Sequence, residues 1–254
     1  MSKLTKAETK LHDQACSLLK LDRLDFDQRE FVLEHWRPDA EHEVAKAGAF
    51  FTPLGLARQV ADECRDAQSV IDLCAGIGSL AYHRWRRDQP ERLVCVEANP
   101  AYIAVGRKVL PVASWVQASV FDLPDLGRFD LAVSNPPYGR IRRNANGPRY
   151  RGGLFEYHVI DVASTLAEQG VSLVPQSSSP RKFSDAGRGL RDIDKPSRDY
   201  ERFQKETGLA LDIGLGIDTG MWRDDWKGTR IVVESVRVDF SQQVKQGCQR
   251  RKAS

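Results

Sequence analysis

The sequence predicts an α/β protein: a mostly parallel sheet with helices on both faces, preceded by a helical extension. Three observations carry this. SVIDLCAGIGSLA, residues 69–81, reads as a strand, a glycine turn and a helix start. RLVCVEANP, residues 92–100, is a second strand. It ends on Glu97, roughly 20 residues past the glycines, the spacing at which an acid reaches ribose hydroxyls. LAVSNPPYG, residues 131–139, is a third apolar run that stops at Asn135, because Pro136 and Pro137 cannot continue a ladder. In open α/β sheets ligands bind at the carboxyl ends of the strands, so Asn135, Pro136, Pro137 and Tyr138 belong to that edge.

In chain order, residues 4–20 carry Leu4, Leu11, Ala15, Leu18 and Leu19 at helical spacing. FDQREFVLEHW, residues 26–36, is a second amphipathic pattern, ended by Pro38. Residues 1–45 are therefore expected to form a helical extension, with Phe31 and Trp36 as core anchors, and residues 46–240 the main domain. Thr52 is expected to cap a helix over 53–65, with Pro53 at its first position. Gly76 and Gly78 let the backbone turn tightly and approach a ligand without a Cβ, and Asp72 stands at the end of the strand before them. Asn99 and Pro100 are expected to cap a helix over 100–109. WVQASVFDLPDL follows, and Asp122, just before Pro124, reads on its own as a turn residue.

GRIRRNANGPRYRGG, residues 139–153, has no apolar periodicity and reads as a loop. It holds Arg140, Arg142, Arg143, Arg149 and Arg151 without an acid, beside the Asn-Pro-Pro-Tyr tip. Such a run is either a solvated basic face or a track for a phosphate backbone, and its placement favours the second. FEYHVIDVASTLAEQ is read as a helix, with Tyr157 and His158 as packing groups, and GVSLVPQ as a strand. Residues 176–207 read as a polar, mobile insertion ending in a short helix. LALDIGLGID and TRIVVESVRVDF read as two more strands, joined by a connection that holds Trp222 and Trp226; residues 241–254 read as a polar tail.

The 254 residues suffice for one sizeable domain with additions. Net charge is only +3, so the balance alone does not announce nucleic acid. The five cysteines (Cys16, Cys64, Cys74, Cys95 and Cys248) are scattered with no C-x-x-C pair. That fits a reducing compartment and argues against a disulfide framework or a zinc site, so no metal is expected. The start, MSKLTKAETK, lacks the apolar core of a signal peptide, and no apolar run is long enough to span a bilayer. The expected location is cytoplasmic.

The order of these motifs resembles that of the class I S-adenosylmethionine (SAM)-dependent amino-methyltransferases of the Asn-Pro-Pro-Tyr type, most like the DNA adenine-N6 enzymes. Phe50, Phe51, Thr52 and Pro53 match Phe-x-Thr-Pro; Asp72, Gly76 and Gly78 match Asp-x-x-x-Gly-x-Gly; residues 135–138 match the tetrapeptide. The likeness covers residues 48–175 well and the rest loosely. It implies a Rossmann-like, mostly parallel seven-stranded sheet. It also implies a SAM site built from Phe51, Thr52, Pro53, Asp72, Cys74, Ala75, Gly76, Gly78, Glu97, Ala98, Phe121, Asp122 and Asn135. There Asp72 would face the amino acid part of SAM and Glu97 the ribose. Asp122 would accept from the adenine amino group, with Phe121 or Val120 on the ring. In the family an aromatic ring from the region of Trp222 and Trp226 stacks on the target base; folding back onto the core is the other reading of these two.

The resemblance further implies methyl transfer to adenine N6 in DNA, with the target base flipped out, and with Asn135, Pro136, Pro137 and Tyr138 as the catalytic group. An exocyclic amino group is a poor nucleophile, because its lone pair is delocalised into the ring. The Asn135 side-chain oxygen and the Pro136 carbonyl can accept its two N–H bonds, and Tyr138 offers a face to a planar base. RNA adenine or guanine methyltransferases and protein-glutamine methyltransferases share the tetrapeptide and are the alternatives. A non-catalytic SAM-fold subunit that binds nucleic acid is the alternative from another class, and the intact Asn135, Gly76 and Gly78 count against it. Residues 241–254 are too few for the large recognition domain of sequence-specific members. A short or relaxed target, or a partner that supplies recognition, is therefore expected.

Overall fold

The computed structural model describes residues 5–38, 50–185, 191–192, 196–214, 216–227 and 229–241. Two helices open the chain, α1 (Lys6–Leu18) and α2 (Phe26–His35). Each starts in a reciprocal capping box, Thr5 with Glu8 and Asp25 with Gln28, so the free amides of the first turn find partners within the helix itself. Then follow α3 (Leu54–Glu63), β1 (Ser69–Leu73), α4 (Ser79–Asp88), β2 (Arg92–Glu97), α5 (Pro100–Val109), β3 (Ser114–Gln117) and β4 (Phe129–Ser134). The second half holds α6 (Phe155–Leu166), β5 (Ala167–Pro175), the short β6 (Arg181–Lys182) and β7 (Arg191–Asp192), α7 (Arg198–Thr207) and β8 (Val233–Asp239).

The main sheet runs β3-β2-β1-β4-β5-β8. Its first five strands are parallel and β8 returns antiparallel along β5. β6 and β7 pair separately. Successive strand residues point to opposite layers. Val70, Leu93, Leu131 and Val133 join a core shared with α1 to α5, whereas Ile71, Leu73, Val94 and Val96 join one shared with α6 and α7. Both faces are thus covered, as a parallel sheet requires.

The structure departs from expectation in several places. Among the described residues the sheet has six strands, and LALDIGLGID contributes a single bridge, Asp212 to Arg237. Gly214 and Gly216 take left-handed φ values of 64° and 83°, which end any extended run there. Helix α3 starts at Leu54, so the capping position falls on Pro53, which has no side-chain acceptor, and the Thr52 hydroxyl accepts from Asn135 instead. Both tryptophans of the last connection fold back: Trp226 is buried, and Trp222 lies half-buried against Gly55 of α3. The 176–207 segment includes β6, β7 and α7, and the Phe203 ring of α7 stacks on Tyr157 of α6 at 4.6 Å. Parts of the expected extension (1–4, 39–45), insertion (186–190, 193–195) and tail (242–254) lie outside the described residues. Among the described residues no helix is long and apolar enough to cross a membrane.

Candidate active site

β1 lies between β2 and β4, so the chain's direction of growth reverses at the β1–β4 pair. That reversal opens a crevice at the carboxyl edge. Register fills it: Leu73 pairs with both Val96 and Ser134, which sets Cys74, Glu97 and Asn135 side by side at the strand ends. A cavity of about 160 Å3 lies there. Phe50, Phe51, Cys74, Gly76, Glu97, Ala98, Asn135 and Pro137 form part of its wall. A side recess of about 20 Å3 adds Thr52, Asp72 and Ala75.

Asn135 is held by its amide nitrogen. Nδ2 donates to the Phe50 carbonyl and to Thr52 Oγ1, each at 2.9 Å. A carbonyl can only accept, so this contact fixes which end of the amide is the nitrogen. Oδ1 is left as the acceptor, and it takes a hydrogen bond from the Tyr138 hydroxyl. Burial pushes the Tyr138 hydroxyl well above its ordinary pKa, with Glu156 adding to the effect, so it stays a donor. The ring is half-buried against the core.

The acids differ in environment. Asp72 is buried; Oδ2 accepts from the Ala81 amide at 3.2 Å, while Oδ1 has no hydrogen-bond partner among the described residues. Burial pushes its pKa up to about 8. Glu97 is also raised by burial, against the opposing effect of backbone donors. Its Oε2 accepts from Gly76 N at 2.8 Å and its Oε1 from Asn99 N at 2.9 Å, which ties the glycine turn to the start of α5.

Not every expected cofactor residue lines the cavity. Pro53 stands behind Thr52. Gly78 starts α4 with a left-handed φ of +94°, and a Cβ there would also meet the Trp115 ring at 3.2 Å, so backbone conformation and packing both favour glycine there. Asp122 is exposed and outside the lining, because the turn closed by its amide on the Ser119 carbonyl carries it past the rim. Phe121 packs edge-on against Phe155 and His158. The wall beyond β3 is instead Ala118, Ser119 and Val120, with Tyr102 and Phe155 also facing in. Ala118, Ser119, Tyr102 and Phe155 were not expected. The strand-end rule that selects Glu97 and Asn135 also selects 118–120, the residues just past Gln117.

The basic loop is committed largely to itself. Arg149 pairs with buried Asp161 at 2.8 Å and also donates to Thr207 O and Ser164 Oγ. Arg143 donates to the Gly152 and Gly153 carbonyls, and Arg151 to those of Gly147, Tyr150 and Pro148. These three satisfy loop carbonyls and a buried acid, so they are engaged within the protein, whereas the expectation was of five arginines turned to phosphates. Arg140 is exposed and pairs with Asp199 at 3.1 Å; Arg142 is exposed. A larger cavity, about 370 Å3, lies at the amino ends of β4 and β5, on the far edge of the sheet from these groups.

Sheet order, the glycine turn after β1 and the antiparallel last strand together define the class I SAM-dependent methyltransferase fold. A Pyrococcus horikoshii protein assigned as an RNA methyltransferase superposes with a TM-score of 0.52 over 89% of this chain and 97% of its own, at 18% identity. The release factor glutamine methyltransferase of Mycolicibacterium smegmatis is 41% identical over 81 residues, which are 29% of this chain and 28% of that protein. The match thus spans well under a third of that curated relative's length. No protein-family model matches the chain.

The residues present fit SAM. The unpartnered Oδ1 of Asp72 is an acceptor at the recess, suited to an ammonium. Glu97 ends β2 beside apolar Ala98 and Val120, where a ribose and an adenine ring would find a carboxyl group and a dry wall.

Proposed function

We propose that this chain transfers a methyl group from SAM to a planar amino group, and that the acceptor is N6 of adenine in DNA. One observation carries the reading: the Asn135 amide is locked by Phe50 and Thr52 with its oxygen as the acceptor, at the rim of the glycine-turn cavity. When bound, SAM supplies an electrophilic methyl whose bonding electrons stay on sulfur as the new carbon–nitrogen bond forms. Asn135 Oδ1 accepts one N–H of the amino group and the Pro136 carbonyl the other. These bonds draw the nitrogen toward a tetrahedral shape, free its lone pair and stabilise the positive charge that develops on it. The extra proton leaves to water. Pro136 and Pro137 stiffen the loop, so the acceptors need no reorganisation. Tyr138 exchanges its bond to Oδ1 for contact with the base, and Arg140 and Arg142 take the phosphates that flank a flipped nucleotide.

A second reading, transfer to a protein glutamine amide, is favoured by the 41% identical stretch and by the internal pairing of Arg143, Arg149 and Arg151. Label transfer from methyl-tritiated SAM to duplex DNA, ribosomal RNA and a release factor separates the readings. Label on N6-methyladenine in DNA is expected. Label confined to glutamine or RNA overturns the DNA acceptor, and label on none of the three overturns the transferase reading.

A further inference from the structure

Glu156, in the first turn of α6, is 1% exposed and is absent from the cavity wall, yet both of its carboxyl oxygens are used. Oε2 accepts from the Gly139 amide at 2.9 Å, and Oε1 accepts from Ser178 Oγ at 2.7 Å. Gly139 follows directly on the Asn-Pro-Pro-Tyr tip, on the loop that leaves β4. Ser178 closes the short 3-10 turn that leaves β5. β4 and β5 are neighbours, already joined side chain to side chain by Ser134 and Ser172 at 2.8 Å. One buried acid therefore ties together the two loops that emerge from adjacent strands at the ligand edge.

The tie is reciprocal. The Phe155 amide donates to the Gly139 carbonyl at 2.9 Å, which gives the otherwise uncapped start of α6 a partner. The Tyr157 hydroxyl donates to the Ser178 carbonyl at 2.7 Å. Gly139 has φ +84°, a conformation that side chains rarely adopt, although nothing stands within 4 Å of the place a Cβ would take. The turn is thus held by bonds, not by crowding. Burying an acid is costly unless it is fully hydrogen-bonded, and an apolar residue would fill the same space without that cost. What the acid adds is direction: two acceptors that fix the separation of two loops.

We propose that Glu156 is a positioning residue. It sets Tyr138 and the Asn135 loop against the β5 loop and so shapes the acceptor side of the site. The role rests on the amino-transfer reading above. Three measurements on the full chain test it: steady-state methyl transfer, SAM affinity by calorimetry, and amide exchange of Gly139 by NMR, which needs no turnover. Glu156→Ala is expected to lower kcat about tenfold or more with SAM affinity within about twofold, and to speed Gly139 exchange. Glu156→Gln keeps an oxygen for Gly139 and an NH2 that can donate to Ser178 Oγ, so it is expected to restore protection and most of kcat. Should Glu156→Ala fail to fold, Ser178→Ala removes the β5 side of the tie alone and is expected to lower kcat in the same sense.

Wild-type kcat in Glu156→Ala despite faster Gly139 exchange overturns the role, as does Glu156→Gln falling as far as Glu156→Ala. A wild-type chain with a protected Gly139 that methylates no acceptor overturns the transferase reading beneath it, and the role with it.

Discussion

Asn135 has its nitrogen spent on Phe50 and Thr52, so its oxygen is the group left for chemistry. Asn135→Ala should reduce methyl transfer by about a hundredfold, the scale of losing one preorganised polar contact to developing charge, while calorimetry finds SAM affinity nearly unchanged. Asp72 gives a prediction of another kind. Its ordinary pKa of 3.8 rises to about 8 in the fold. Below the lower value the acid is protonated in both states and no penalty exists. As pH climbs toward the upper value, the unfolded chain ionises while the buried acid keeps its proton, so stability falls. His158 and His83, lowered to about 4, act in the opposite sense below pH 6.5, so the acid is isolated by difference: the urea midpoint of ligand-free Asp72→Asn should gain on that of the wild type as pH rises through the window. Single residues were legible in the sequence where they ended strands: Asp72, Glu97 and Asn135 all reach the crevice. Asp122 does not, because it lies past the strand end and a tight turn on Ser119 separates it from the wall.

At the scale of elements, α6 is the support of the acceptor side. Besides Glu156, it presents His158, whose Nδ1 accepts from Gly147 N at 2.9 Å and whose Nε2 donates to Gly152 O at 3.0 Å, and Asp161, which holds Arg149 and Tyr150. The loop over 139–153 is therefore pinned at several points along one helix. Burial lowers the His158 pKa from 6.5 to about 4. Between those values the unfolded chain takes up a proton that the folded ring refuses, so stability is lost as pH falls through the window. Acid should release the Gly147 amide first, measurable by hydrogen exchange between pH 6.5 and 4. The parallel strands were readable because apolar runs buried on both faces carry a strong signal. The fate of Arg140 and Arg149 was not readable, since their side-chain partners sit on α6 and α7, up to 59 residues away in sequence. The same holds for residues 209–213, where Leu209, Leu211 and Ile213 alternate inward but, among the described residues, Asp212 alone forms a bridge, to Arg237.

Across the whole molecule, the two N-terminal helices reach the site from behind. Trp36, just past α2, packs on Phe51 and Tyr102, both at 6.0 Å between ring centroids, and both of these line the cavity. Lys227, near the other end of the chain, donates to the Leu33 carbonyl at 2.6 Å and closes the same side. Trp36→Ala should cost about 3 kcal/mol of stability, in the range for emptying a large aromatic from a core, and should weaken SAM binding through Phe51. Because the indole sits one ring behind the cavity wall, its emission becomes a built-in optical gauge of occupancy. Titrating SAM should shift the tryptophan fluorescence of the wild type, and Trp36→Phe should silence most of that shift while leaving calorimetric binding in place.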